Sequence, residues 1–229
     1  MISIERQNGL FIAIGKKLNR RINVYAVGGT AMMFLGLKEV TKDIDLVFEN
    51  QKDREYFKET LKSLGYEYMD AAIVYGGKEN KPEMLTLGDE RFDLFVKEVV
   101  DFIFSENMQK RAKQIHQFGD NFMLKIADPQ DIFLMKCATD RLKDLDDARS
   151  IVTGTKLNWD SIVDEAKNQK KLGKKHAIFE LGYFLEKLEN KLKIPIPKKT
   201  KAELWNLLAV GDEKDRVSFS KRKEKKEWT

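Results

Sequence analysis

Two aspartates separated by one residue, Asp43 and Asp45, lie in a segment that alternates acidic and apolar side chains over residues 43–48. This alternation predicts a strand, in which residues two apart project from the same face. The two carboxylates would lie side by side, with Ile44 and Leu46 directed into a core. Because neighbouring carboxylates repel each other, Mg²⁺ or Mn²⁺ would stabilise the pair. Two solvated aspartates on a surface strand are the alternative.

A third aspartate, Asp93, lies between a phenylalanine and a leucine in the strand predicted for residues 91–96. A carboxylate with two large apolar neighbours in a strand is poorly explained by solubility, although an aspartate at the end of a strand can also cap a loop. We therefore expect Asp93 to join Asp43 and Asp45 in one cluster of carboxylates that binds a divalent metal.

A pair of glycines precedes these aspartates. The strand predicted for residues 22–27, rich in β-branched and aromatic side chains, ends at Gly28 and Gly29, and Thr30 is the expected N-cap of a short helix over residues 31–37. Backbone N–H groups at the start of a helix attract phosphate, and glycine permits its close approach. Gly28, Gly29 and Thr30 are therefore candidate nucleotide-binding residues, although two glycines can also form a simple tight turn.

A long helix is predicted for residues 130–152, because Asp128 and Pro129 form an N-cap followed by a proline in the first turn. One face of this helix is apolar, and Lys136 and Asp147 lie roughly opposite. The polar face is either solvated, with local ion pairs, or it covers a cleft in which Lys136 reaches triphosphate oxygens. The spacing alone leaves both interpretations open.

These elements must be positioned by a larger architecture. The change from mixed to helical patterns predicts an α+β domain over residues 1–127 and a helical domain over residues 128–210. Residues 211–229 form a basic tail, which is either a solvated and partly disordered end or an arm that attracts RNA or DNA phosphates. The other predicted elements are helices over 4–18, 53–64, 159–169, 175–192 and 202–210, a strand over 122–126, an extended segment over 66–75 and a long loop or ragged hairpin over 76–89.

Composition excludes several kinds of site. The 229 residues include a single cysteine, Cys137, and two histidines, so an intramolecular disulfide, a thiolate cage and a histidine-rich metal site are not expected. Any metal should therefore be a hard cation held by carboxylates. No apolar run is long enough to span a bilayer and the N-terminus resembles no signal peptide, so we expect a cytoplasmic protein without a membrane partner.

Residues 25–36 followed by residues 42–47 resemble the signature of the DNA polymerase beta-type nucleotidyltransferase superfamily. That signature is a Gly-Gly or Gly-Ser pair, roughly a dozen residues, an acidic–apolar–acidic triplet and a third acidic residue on a later strand, matched here by Asp93. Within the superfamily the chain is similar to small prokaryotic toxin-type and uncharacterised nucleotidyltransferases related to abortive-infection systems. Their catalytic domain is often followed by a helix similar to residues 134–147. The resemblance covers about residues 22–152, with Thr30 where many relatives have serine.

The resemblance implies an α+β fold, with a nucleotidyltransferase-type mixed β-sheet and flanking helices followed by a C-terminal helical domain. It also implies transfer of a nucleoside monophosphate from a triphosphate to an acceptor hydroxyl, with release of pyrophosphate. Asp43 and Asp45 would hold the metal, and Asp93 would share a second metal or accept the proton of the acceptor. The phosphates would be bound by Gly28, Gly29, Thr30 and Lys136, with Asp147 as a further site residue.

The acceptor is open among an RNA end such as that of tRNA, a protein side chain and a small molecule such as an aminoglycoside, and an antitoxin is a candidate partner. Two other classes of function compete. A catalytically silent relative could bind nucleotide or RNA as a regulator, but the presence of all three aspartates argues against a decayed site. A plain interaction module would leave the glycine pair and Asp93 unexplained.

Overall fold

The structure is a computed structural model that describes residues 1–77, 80–137 and 142–209. The predicted basic tail over residues 211–229 lies outside the described residues. The strands are β1 (Ile2–Ser3), β2 (Ile22–Ala26), β3 (Val40–Thr41), β4 (Ile44–Phe48), β5 (Glu67–Met69), β6 (Glu83–Leu87), β7 (Glu90–Val96), β8 (Glu98–Val99), β9 (Phe102–Ile103), β10 (Gln114–Phe118) and β11 (Phe122–Ile126). The helices are α1 (Ile4–Lys17), α2 (Gly28–Phe34), α3 (Gln51–Ser63), α4 (Ala72–Tyr75), α5 (Glu106–Arg111), α6 (Pro129–Lys136), α7 (Leu142–Gly154), α8 (Trp159–Lys171), α9 (Ala177–Leu192) and α10 (Lys198–Ala209).

A seven-stranded mixed sheet forms the centre of the fold, in the order β10-β11-β2-β4-β7-β6-β5. The pairs β11–β2 and β4–β7 are parallel, and the other neighbours are antiparallel. This arrangement confirms the predicted α+β class, with a mixed sheet and flanking helices.

The central strands β4 and β7 have one face in an apolar core and one face that carries acid groups. Phe48 and Phe92 both contact Phe57 of α3, with ring centroids 5.3 and 6.2 Å apart. Because side chains alternate along a strand, Asp45 and Asp93 project to the other face. Burial of aromatic rings on the α3 side therefore fixes where these carboxylates must lie.

Most of the long predicted helices and strands are confirmed, but the predictions for residues 66–89 differ from the structure in part. The segment over 66–75, predicted as extended, contains the short strand β5 and then the helix α4. Residues 76–89, predicted as a long loop or ragged hairpin, include β6, which forms an antiparallel hairpin with β7. The sequence patterns missed β10, which pairs with β11 at the edge of the sheet. Strand β10 is short, so its alternation is brief.

The single helix predicted for residues 130–152 is wrong, because two helices are present. Helix α6 ends at Lys136 with Cys137 as its C-cap, and α7 begins at Leu142. Asp128 caps α6 as predicted, since its side chain accepts a hydrogen bond from the backbone N–H of Gln130. The break changes where Lys136 and Asp147 point relative to each other, and the two side chains bond directly.

The chain divides into two compact units, the first spanning Met1–Leu157 and the second beginning at Asn158. The division falls later than the predicted domain boundary between residues 127 and 128, because α6 packs on α2 beside the sheet and α7 packs on α6. In the second unit α8, α9 and α10 pack on one another. Among the described helices, none has the length and apolar character that crossing a membrane requires.

Candidate active site

Asp45 and Asp93 are neighbours across the parallel pair β4–β7, where they occupy the same register position. Adjacent strands lie about 4.8 Å apart, so side chains that project from one face at the same register are in each other's reach. Asp93 is fully buried and Asp45 is partly buried. Asp43 comes directly before β4, and the side chain of Asp43 is mostly buried. We call Asp43, Asp45 and Asp93 the acidic cluster.

The guanidinium of Arg91 joins two members of the acidic cluster. Its Nε donates to Asp93 Oδ1 at 2.8 Å, and its Nη2 donates to Asp93 Oδ2 at 3.1 Å and to Asp43 Oδ2. Sequence reasoning missed Arg91. The rule that places residues two apart on one face would have found it, because Arg91 precedes Asp93 by two residues in β7.

Two carboxyl groups of the acidic cluster have raised pKa values. Burial raises the pKa of Asp45 well above its ordinary value, and the charges of Asp43 and Asp93 raise it further. Burial also raises the pKa of Asp93, although the Arg91 guanidinium acts in the opposite direction. The single guanidinium therefore leaves the cluster with uncompensated negative charge.

Gly28 and Gly29 allow the turn after β2 to approach the acidic cluster closely. Gly28 has φ of +56°, and a Cβ there would lie 2.5 Å from Asp45 Oδ2. A Cβ on Gly29 would lie 2.5 Å from the hydroxyl of Thr41, which donates to Asp43 Oδ1 at 3.4 Å. A side chain at Gly28 would therefore push against the Asp45 carboxylate, and one at Gly29 against the hydroxyl that bonds Asp43.

Thr30 supports Asp45 from the backbone side. Helix α2 begins at Gly28 with Val27 at the N-cap, and Val27 makes no side-chain capping bond, so the prediction of Thr30 as the N-cap is wrong. The hydroxyl of Thr30 is buried and accepts a hydrogen bond of 2.9 Å from the backbone N–H of Asp45. Thr30 thereby fixes the start of β4. A contact of Gly28, Gly29 or Thr30 with nucleotide stays a prediction.

Lys136 belongs to a second group of charges near the acidic cluster. Its ammonium donates to Asp144 at 2.9 Å and to Asp147 at 2.5 Å, and Asp147 also accepts from Lys38. Only 8% of Lys136 is exposed, so Lys136 is not part of a solvated face, whereas the ion pairs of that interpretation are present. We call Lys38, Lys136, Asp144 and Asp147 the lysine–aspartate cluster.

The lysine–aspartate cluster lies close enough to act on the acidic cluster. The charge of Lys136 lowers the pKa of Asp45, against the effect of burial. The stem of Lys38 lies 3.9 Å from the Cβ position of Gly29. Sequence reasoning missed Lys38 and Asp144, since neither has a pattern that sets it apart from other charged residues of a turn and a helix.

Tyr75 is a further residue that the sequence did not indicate. It ends α4, and its hydroxyl donates to Asp93 Oδ2 at 2.7 Å. Burial raises the pKa of Tyr75, and the charges of Asp45 and Asp93 raise it further, so the hydroxyl stays protonated and acts as a donor. The Tyr75 ring also packs edge-on against Phe95 of β7. No signal in the segment over 66–75 could have placed this ring beside Asp93.

The acidic cluster suits a hard divalent cation, because it brings together three carboxylates, whose oxygens are the ligands that such cations prefer. Within residues 1–77, 80–137 and 142–209, however, no three carboxylate, imidazole or thiol groups are arranged to hold one ion. In this structure the cation between Asp43 and Asp93 is the Arg91 guanidinium. The residues fit Mg²⁺ or Mn²⁺ by chemistry, and Asp43, Asp45 and Asp93 would be the ligands.

A match to a protein-family model gives the class of protein. Residues 12–181 match the model described as a nucleotidyltransferase of unknown function (DUF6036). The chain therefore belongs to this family of nucleotidyltransferases. No curated protein sequence matches the chain.

Two structures of an antibiotic-resistance factor are among the similar solved structures. The crystal structure of ANT(2")-Ia in complex with adenylyl-2"-tobramycin is 18% identical, with 65% of this chain and 88% of that chain covered and a TM-score of 0.44. The solution structure of the antibiotic-resistance factor ANT(2'')-Ia is 17% identical, with 75% and 96% covered and a TM-score of 0.48.

Proposed function

We propose that this nucleotidyltransferase is metal-dependent and moves a nucleoside monophosphate from a nucleoside triphosphate to an acceptor hydroxyl, with release of pyrophosphate. The observation that carries the proposal is the acidic cluster, in which Asp45 and Asp93 share one register position and Asp43 lies beside them. Burial raises the pKa of Asp45 and Asp93, and neighbouring carboxylates raise both further, so the anionic forms of these groups are poorly stabilised by their surroundings. A divalent metal ion that enters with the triphosphate would place positive charge directly beside these carboxylates.

Asp43 and Asp45 would hold a Mg²⁺ or Mn²⁺ ion that enters with the triphosphate. When bound, such an ion neutralises phosphate charge and orients the phosphates for in-line displacement. Thr30 and Gly28 position Asp45 for this role, the first through its hydroxyl and the second by leaving room for the carboxylate. The chain's own contribution is therefore positioning and electrostatics.

Asp93 would act on the acceptor. Its raised pKa suits a group that accepts the proton of the acceptor hydroxyl, because a stronger base takes the proton more readily. The acceptor oxygen forms a bond to the α-phosphorus, the bond between that phosphorus and the oxygen bridging to the β-phosphate breaks, and pyrophosphate leaves. Tyr75 keeps Asp93 oriented through its hydrogen bond of 2.7 Å.

Lys38 and Lys136 would attract the triphosphate towards the turn at Gly28 and Gly29. The stem of Lys38 lies next to Gly29, and the charge of Lys136 reaches Asp45. Asp147 holds both ammonium groups and so has a positioning role. Lys38 is the more exposed of the two lysines, and it can turn towards a phosphate while Asp144 still compensates Lys136.

RNA, including tRNA, is the first acceptor to test, because the net charge of +5 favours an anionic partner. Proteins and aminoglycosides are the other acceptor classes. The protein would be incubated with each α-labelled triphosphate, ATP included, and with total RNA, total protein or an aminoglycoside. Label should move to one class only in the presence of Mg²⁺ or Mn²⁺, and Asp93→Asn should abolish the transfer. A toxin-type role would in addition require an antitoxin that suppresses this transfer.

A catalytically silent nucleotide-binding regulator is the second candidate, favoured by the Arg91 guanidinium that bridges Asp43 and Asp93 where a metal would bind. Such a regulator would bind triphosphate and release no pyrophosphate with any acceptor. A coupled assay for pyrophosphate separates the two functions. Triphosphate binding without pyrophosphate release in all three acceptor classes would overturn the proposal of catalysis.

A further inference from the structure

Arg91 uses the oxygen atoms that the proposed function assigns to a metal. Both oxygens of Asp93 accept hydrogen bonds from its guanidinium, and Asp93 Oδ2 also accepts from Tyr75. The oxygens of Asp43 are similarly engaged, one by Arg91 and the other by the Thr41 hydroxyl. Asp93 in particular has no oxygen left without a donor.

Asp45 differs from the other two aspartates. Within the described residues its carboxylate accepts no hydrogen bond from a side chain, and its backbone N–H donates to the hydroxyl of Thr30. Of the three carboxylates it is therefore the one that an arriving cation can reach without first breaking a bond.

We propose that the Arg91 guanidinium and a divalent metal ion compete for Asp43 and Asp93, so that the metal completes its ligand set only after Arg91 leaves. This inference rests on the proposed metal-dependent function and adds a competitor to it. Arg91 serves as the counter-ion of the acidic cluster while the metal is absent. The metal affinity of the protein is then lower than its carboxylates alone would give.

Charge and geometry support competition over joint binding. A guanidinium and a divalent cation that shared the same carboxylate oxygens would repel each other at close range in a partly buried site. The fork of the guanidinium also matches a carboxylate better than an ammonium would, which explains an arginine at this position. About a fifth of the Arg91 side chain is exposed, so it has a route out of the cluster.

Replacing Arg91 tests the competition directly. Arg91→Met keeps a long apolar stem and removes the competing charge, so Mn²⁺ should bind at least about tenfold more tightly, as measured by electron paramagnetic resonance without nucleotide. The variant should also melt at a lower temperature in chelator and recover most of that loss when Mn²⁺ is added. Arg54→Met is the matched control, because Arg54 is similarly buried and bonds two glutamates, Glu55 and Glu83. Its Mn²⁺ affinity should equal that of the wild type.

A measurement on the wild-type protein keeps the inference testable if Arg91→Met does not fold. The Nε–H resonance of Arg91, assigned with Arg91→Lys, should shift and exchange faster with water as Mg²⁺ is added. Equal Mn²⁺ affinity in wild type and Arg91→Met, or an unchanged Nε–H resonance in a wild-type protein that binds Mg²⁺, would overturn the competition and leave the metal-dependent function intact. Absence of metal binding in every variant, with and without triphosphate, would overturn both.

Discussion

Two groups of charges in the first unit both combine aspartates with basic side chains, and they differ in their balance of negative and positive charge. The acidic cluster sets three aspartates against Arg91, and the lysine–aspartate cluster, in its described residues, sets two lysines against two aspartates. The pKa shifts differ accordingly. Burial raises the pKa of Asp45 and Asp93, whereas Lys136 and Lys38 outweigh the effect of burial on Asp147 and lower its pKa.

We expect this difference to separate carboxylates that bind a metal from carboxylates that hold neighbouring lysines in place. A carboxylate with a raised pKa is less stable as an anion than in water, so it gains from a cationic ligand. A carboxylate with a lowered pKa is already compensated, and its loss leaves buried ammonium charge behind. The acidic cluster should therefore respond to substitution through activity, and the lysine–aspartate cluster through stability.

The largest expected effect is on activity in the acidic cluster. Asp45→Asn keeps the size of the side chain and one oxygen but removes the charge that would offset a divalent cation. Nucleotidyl transfer should fall at least about a hundredfold, which corresponds to ~2.7 kcal/mol of transition-state stabilisation. Initial rates under saturating triphosphate measure this loss.

Asp45→Asn should leave the melting temperature in chelator unchanged or higher, because it relieves repulsion with Asp43 and Asp93. Transfer at a near wild-type rate would contradict the role of Asp45. A large fall in the melting temperature in chelator would instead show that Asp45 is structural, and the contrast between the two clusters would be lost.

The second effect is on stability in the lysine–aspartate cluster. Asp147→Asn removes a partner of two ammonium groups, and Lys136 is buried, so the free energy of unfolding should fall by about 2 kcal/mol. Asp144 still pairs with Lys136, so the loss of stability should be smaller than for a buried ammonium group with no carboxylate partner. Denaturant unfolding measures the change.

Asp146→Asn is the control for that substitution, since Asp146 is exposed on the same helix. Its free energy of unfolding should change by no more than about 0.5 kcal/mol. Equal effects at positions 146 and 147 would mean that the ion pairs of Asp147 contribute nothing beyond an ordinary surface charge.

The pH dependence of stability sharpens the comparison, because folding raises the pKa of Asp45 in one cluster and lowers the pKa of Asp147 in the other. The pKa of Asp45 is raised on folding, so the folded state holds its proton more tightly and loses stability as pH rises above the ordinary value of 3.8. The stability advantage of Asp45→Asn in chelator should therefore grow with rising pH. The pKa of Asp147 is lowered, so the stability that it contributes is present above 3.8 and disappears as pH falls through its lowered pKa.

Melting curves of both variants and the wild type from about pH 3 to pH 8 test these signs. An Asp45→Asn advantage that stays constant over this range would show that Asp45 has an ordinary pKa. A penalty of Asp147→Asn that increases on acidification would contradict the lowered pKa of Asp147.

The smallest expected effect is at Tyr75. Tyr75→Phe removes one hydrogen bond to buried Asp93, and the free energy of unfolding should fall by about 1 kcal/mol. Transfer should fall only severalfold, because the carboxylate of Asp93 and its charge stay in place. The control is Tyr68→Phe, because the Tyr68 ring in β5 is exposed. It should change neither the free energy of unfolding nor the transfer rate. A larger loss of transfer for Tyr75→Phe than for Asp45→Asn would reverse the proposed ranking of the site.

The sequence predicted those parts of the fold and site that follow from local periodicity. Alternation placed Asp45 opposite its core neighbours, and the same rule applied to β7 placed Asp93. The sequence makes Gly28 and Gly29 candidate nucleotide-binding residues, which stays a prediction. In the structure the two glycines leave room for Asp45 and Thr41, a steric role that depends on residues more distant in sequence.

The remaining site residues depend on contacts that no local pattern contains. Tyr75 reaches Asp93 because α4 precedes β6 and lies beside β7, whereas its own sequence indicated an extended segment. Asp144 meets Lys136 because the helix predicted for 130–152 is divided, and an unbroken helix would have separated them on its surface. Hydrophobic periodicity describes one helix or strand at a time, so it does not predict contacts between side chains of different elements.

The order of the strands has a consequence for how the protein is made. Strand β2 pairs with β11, and the bond between Lys125 and Tyr25 joins residues 100 positions apart, while Arg91 and Asp43 are separated by 48. Strand pairings between residues so far apart in sequence form slowly, because the entropy of closing the long intervening loop is lost before the contacts form. A nascent chain that has left the ribosome only as far as α3 already carries the glycine pair and two aspartates, but it lacks β7. Nucleotide chemistry therefore waits until most of the first unit has been synthesised and β7 has paired with β4.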